Sequence, residues 1–185
     1  SILHQNNINE NVEIIIINDG STDNTLDIIS KYDNRKNIKI ISCPQNKGLA
    51  YARNMGITNA SGDILVFLDS DMELNADWLE NVYTILNDNA VMGVMGQYCL
   101  PRDTTPNVLD KYLYSSIRGA KKYYKTADAI HFKYFLFSNT AIRREALNRA
   151  GNFNEKFEKY GGEDTDLSIR LYQHYSRGLF YYDHL

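Results

Sequence analysis

Two cysteines, three prolines and one tryptophan among 185 residues set the first limits. Cys43 and Cys99 have no metal-ligand spacing and cannot build a disulfide framework, so they read as buried or bystander thiols of a reducing compartment. No apolar run approaches the length of a bilayer-spanning helix and no secretory leader is visible, which gives the expectation of a soluble, cytoplasmic piece. Neither sign of charge dominates. With 20 basic and 23 acidic side chains the net charge is -3, which carries no signature for nucleic acid. The length suits one domain over residues 1–185 with a substantial core.

What is present is a repeated pairing of apolar runs with acids. Ile64 to Leu68, in SGDILVFLDSDMEL, is an uninterrupted apolar run that predicts a strand buried on both faces, with Asp69 and Asp71 directly after it. Such a strand ends at the rim of its sheet, where ligands bind in open α/β folds. Two carboxylates with one residue between them can lie near one cation and leave its other positions for phosphate oxygens. The same residues would also serve as a turn capping the next helix. Val12 to Ile17 is a second such run, ending in Asp19, Gly20 and the helix-start cluster Ser21, Thr22, Asp23. Helical spacing over about Thr22 to Asp33 and a short strand over Ile38 to Ser42 complete a β-α-β unit.

Gly48 to Asn59 predicts another helix, carrying Arg53, whose planar cation suits a phosphate or a base edge as well as open solvent. Further on, the pattern predicts a helix over Asp77 to Asn87, strands over Val91 to Tyr98 and Phe132 to Ser138, a short helix over Arg144 to Ala150 and a last strand over Leu179 to Tyr182. The alternation implies an α/β fold with a mostly parallel central sheet and helices on both faces. Residues 108–125 mix apolar, aromatic and basic side chains, a pattern open to a solvated basic helix end with a loop over the cleft or to peripheral contact with a membrane surface at its inner face. YGGEDTD, from Tyr160 to Asp166, opens a helix with Glu163 and Asp164 in its first turn, where the helix dipole favours ionised carboxylates and so an available base.

Taken together, VEIIIINDGSTDNT, NKGLAYARNMGITNASGDILVFLDSDMEL, SNTAIRREAL and GNFNEKFEKYGGEDTDLSIRL resemble the family 2 glycosyltransferases of the GT-A fold, in that family's order and over most of the chain. The resemblance implies a nucleotide-sugar-binding half over 1–98 and an acceptor-binding half over 99–185, with inverting transfer from a donor such as a UDP-sugar to a glycan, lipid-linked saccharide or protein acceptor. It implies that Asp19 contacts the base of the nucleotide and that Arg53 lies near base or phosphate. It places Asp69 and Asp71 in a DXD motif, Asp69 near ribose and metal and Asp71 on a divalent Mn or Mg ion. Asp164 then matches the catalytic base with Glu163 beside it toward the acceptor, and His184 a late histidine of the metal shell. The chain departs from the family in lacking its opening strand, in Asn18 where an acid is common, and in Gly151-Asn152-Phe153 where Gly-Gly-Phe is usual. Two rivals share these residues: a non-catalytic binding module of the same fold, and a nucleotidyltransferase, which would want a Gly-rich basic loop that is not visible here.

Overall fold

The computed structural model describes residues 1–6, 11–101, 103–114, 119–157 and 161–185. Most of the expected polar connection at 6–11, Ile117 and Arg118 of the basic stretch, and Tyr160 of the YGGEDTD motif lie outside the described residues. In chain order the elements are β1 (Ile14–Asp19), α1 (Thr25–Ile29), β2 (Ile38–Cys43), α2 (Leu49–Asn59), β3 (Ile64–Leu68), α3 (Trp78–Ile85), β4 (Gly93–Gly96), α4 (Val108–Leu113), β5 (Asp128–Ala129), β6 (Asn139–Arg143), α5 (Arg144–Ala150), α6 (Glu163–Tyr175) and β7 (Leu179–Tyr182). The fold is α/β, as the alternation of patterns implies.

β1 and β2 pair in parallel, from Ile14 opposite Ile38 to Asp19 opposite Cys43. The second sheet has the order β3-β6-β4-β7-β5 and is mixed: β4 and β7 run parallel, whereas β6 is antiparallel to both β3 and β4. Among the described residues β1 pairs only with β2 and β3 only with β6. The starts of β1 and β3 are nonetheless tied. Glu13 accepts hydrogen bonds from the Ser61 hydroxyl at 2.8 Å and the Gly62 amide at 3.0 Å.

Side chains alternate across a strand, so each strand of the larger sheet feeds two cores. Leu65, Phe67, Met95, Ile142, Leu179 and Tyr181 face one cluster, which α2, α5 and α6 cover with Ala50, Leu147, Leu167 and Leu171. Val94, Ala141, Ile64, Leu68 and Phe180 face the other, covered by Trp78, Leu79, Val82 and Ile85 of α3. Helices therefore lie on both faces. Each fully buried side chain of this kind contributes roughly 1.5–3 kcal/mol.

One expected strand is absent. Phe132 to Ser138 does not extend along the sheet; Phe132–Tyr134 is a single 3-10 turn, started by His131, whose Nδ1 accepts the Lys133 amide at 3.3 Å. The strand begins only at Asn139, because the aromatic residues before it pack as a cluster in place of a ladder. Phe137 meets Phe67, Phe135 and Phe153 edge-on at 4.9–5.6 Å. Other boundaries contract: the expected helix over 22–33 is α1 followed by a 3-10 turn at Ser30–Tyr32, and the expected strand over 91–98 is the four residues of β4.

Candidate active site

The site is built where β3, α2, α6 and the 137–138 segment converge. Arg53 lies in the first half of α2, and its side chain is only 9% exposed. Its guanidinium meets Asp164 in a short charge-assisted hydrogen bond, Glu163 at 3.7 Å and Asp69 at 3.7 Å, and stands 5.1 Å over the Phe153 ring. That ring is held by Asn54, the next residue of α2, which exchanges two hydrogen bonds with the Phe153 backbone at 2.9 and 3.0 Å. The turn delivering Phe153 needs Gly151 at φ +83°, a left-handed geometry that other residues rarely adopt.

Asp164 lies in the first turn of α6. Its second carboxylate oxygen accepts the Phe137 amide at 3.1 Å. Burial raises its pKa and outweighs Arg53 and the Phe137 amide, which lower it, while Glu163 adds a further rise. Asp69 is likewise raised, first by burial and then by Asp71 and Asp164, against the lowering effect of Arg53. One buried cation thus faces three carboxylates, with a fourth close by. The surplus of negative charge is suited to a cation bound together with an anionic group.

Asp71 follows Asp69 in a turn closed by the Met72 amide donating to the Asp69 carbonyl at 3.1 Å. Among the described residues no three His, Cys, Asp or Glu side chains gather as a ready-made ion site. Asp69 and Asp71 could supply carboxylate oxygens to a hard cation, which would need further oxygen ligands from elsewhere. His184 is exposed, 3.4 Å from Asp183 and 5.5 Å from the Tyr182 ring. Asp19 also has its own setting. Its carboxylate accepts the amides of Lys47, at 3.0 Å, and Gly48, at 2.8 Å, and so pins the loop that opens α2. Gly20 permits this approach, since a Cβ there would lie 2.4 Å from the Asn46 nitrogen.

One site residue gave no signal in the sequence. Tyr98 has its phenol pushed up to about 12 by burial, with Asp69 and Asp164 adding to the rise. Its hydroxyl accepts from Ser138 Oγ at 2.8 Å, and the Ser138 carbonyl in turn accepts the Asp69 amide at 3.0 Å. Fourteen tyrosines without a pattern hide such a residue.

An α/β sheet with acids at strand ends and buried carboxylates at a helix start is the frame of a GT-A transferase. Solved structures agree on that fold. Residues 1–349 of TarS from S. aureus, also solved with UDP and with UDP-GlcNAc, give a TM-score of 0.72 at 20% identity over 97% of this chain and 51% of that one. The mannosyltransferase PcManGT of Pyrobaculum calidifontis, solved with GDP-Man and Mn2+, gives 0.68 at 22% identity over 97% of this chain and 50% of that one. The family model of glycosyl transferase family 2 matches residues 1–151, and the chain belongs to that family. Chondroitin synthase of Pasteurella multocida is 28% identical over 91% of the chain, and hyaluronan synthase of the same species 28% over 88%. The chain spans 20% of the length of each of these synthases.

Proposed function

We propose that this chain carries the donor and acceptor site of an inverting glycosyltransferase, which moves a sugar from a nucleoside diphosphate to an acceptor hydroxyl. The observation that carries the reading is Asp164 itself: a partly buried carboxylate of raised proton affinity, fixed in orientation by the Phe137 amide and Arg53. A general base works best when its pKa is drawn toward the working pH, and burial does this here. Asp164 takes the proton of the acceptor hydroxyl as that oxygen attacks the anomeric carbon from the face opposite the leaving diphosphate. Asp69 and Asp71 would hold Mn2+ or Mg2+, which supplies neutralising charge to the diphosphate. Glu163, buried beside the base, orients the acceptor side, and Asp19 and Arg53 border the nucleotide. That TarS is solved with UDP-GlcNAc and PcManGT with GDP-Man supports a nucleotide-sugar donor.

Asp164→Asn should lower kcat by on the order of a hundredfold or more with the donor KM little changed, because only the proton transfer is lost. Steady-state assays of the full-length protein with UDP-sugars and Mn2+ check this. Undiminished turnover in that variant would remove Asp164 from the reaction.

A further inference from the structure

α6 carries a stripe of residues four apart, Asp164, Ser168 and Tyr172, that docks along the segment 131–137. Asp164 accepts the Phe137 amide, Ser168 Oγ donates to the Phe135 carbonyl at 2.6 Å, and the Tyr172 ring packs on His131 at 5.1 Å and Phe132 at 5.7 Å. The base is therefore one end of this stripe. The other end opens onto rings. The His131 amide donates to the Tyr124 hydroxyl at 3.3 Å, and Tyr134 packs against Tyr124 at 5.6 Å and Tyr123 at 5.4 Å. Tyr172 lies about 12 Å along the helix axis from Asp164; Ser168 between them is fully buried, so a chain reaching from the rings to Asp164 passes outside this stripe.

Charge at this end is biased against the trend of the whole chain. The stretch from 119 to 134 carries Lys121, Lys122, Lys125 and Lys133 against Asp128 as its one acid, with Asp183 joined to it through Thr126, in a chain whose net charge is -3. Lys122 Nζ stands 5.0 Å from the Tyr123 ring and Lys133 Nζ 5.6 Å from the Tyr134 ring, and the Tyr123 side chain is 57% exposed.

The geometry points to a binding surface for an anionic glycan, the growing acceptor chain, laid over the Tyr123–Tyr134–Tyr172 rings with its terminal hydroxyl directed to Asp164. Aromatic faces receive the C-H face of a pyranose, and the phenol and ammonium groups at their edges bind its hydroxyls and carboxylate, sulfate or phosphate groups. A bilayer is served less well, since insertion needs a wide exposed apolar face and Tyr124, Tyr134 and Tyr172 are packed against the core. The acceptor role rests on the transferase reading above, whereas the binding itself does not.

The test is titration of the full chain, at low and at physiological salt, with a uronate hexasaccharide, a sulfated hexasaccharide, a phosphate-bearing polyol oligomer, neutral dextran oligosaccharide and phosphatidylglycerol vesicles. At least one anionic glycan should bind, more tightly than dextran, with affinity falling as salt rises. Tyr123→Ala and Lys122→Glu, both at exposed positions, should each weaken it about tenfold or more with an unchanged Tm. Binding confined to vesicles, equal binding of dextran, unaltered binding in both variants, or none to any of the three anionic oligomers would each overturn the inference. Asp164→Asn should keep this binding. If it keeps turnover as well, the base assignment fails and the surface stands.

Discussion

Arg53 shows how one side chain sets the state of another. Its guanidinium is the nearest cation to Asp164 and lowers a carboxyl that burial has raised, so removing it should raise the Asp164 pKa further. A base must be deprotonated to act. In Arg53→Gln the acid limb of the kcat profile should therefore move to higher pH, by about one unit or more, with partial rescue in Arg53→Lys. If Arg53 serves only the nucleotide, the donor KM rises and the limb stays in place. A pH profile of kcat and of donor KM in the three proteins separates the two roles.

At the scale of elements, the strand β6 and its neighbours decide whether the site exists. β6 lies between β3 and β4 and presents Ile142 to one core and Ala141 to the other, both within 1% of full burial. Its last residue, Arg143, donates through Nε to the Val91 carbonyl at 2.8 Å and through Nη2 to the Leu86 carbonyl at 2.6 Å, which fastens the end of α3 to the sheet. Arg143→Met leaves those carbonyls unpaired and should cost about 2–4 kcal/mol. Ile142→Ala opens a cavity and should cost about 2–5 kcal/mol. Urea denaturation of each variant measures these losses, and a change under 0.5 kcal/mol in either would show that the joint does not hold the fold.

For the whole molecule, the relevant quantity is charge gathered from distant parts of the chain. Asp69 and Asp71 come from the end of β3, Glu163 and Asp164 from the start of α6, and Arg53 from α2 offsets only part of their charge. A ligand that brings positive charge to this cleft should stabilise the folded state. UDP with Mn2+ at a hundred times its Kd should add about 2.7 kcal/mol, read as a rise in Tm of a few degrees. UDP alone should give less, and Asp71→Ala should abolish the difference between the two. An equal rise with and without Mn2+ would take the cation out of the donor site.

Much of this was legible in the chain because local rules govern it. Apolar runs bounded by turn formers made β1 and β3 readable, and their trailing acids placed Asp19 and Asp69 at sheet ends. Glu163 and Asp164 were readable from two glycines and a helical pattern. The 131–137 segment was not, since a run of Phe, Tyr and Leu suits a strand until its rings find partners in Phe67, Phe153 and Tyr172. Pairing direction was equally hidden: β6 runs against β3 and β4, and nothing local to Asn139–Arg143 states that. The sequence by itself determined which apolar runs end in acids and which helix opens with paired carboxylates, because periodicity and turn chemistry act over a few residues. Only the tertiary structure decided that Arg53 meets Asp164 across 111 residues and that Tyr98 and Ser138 stand behind Asp69. Those relations depend on burial and packing between segments that share no local signal.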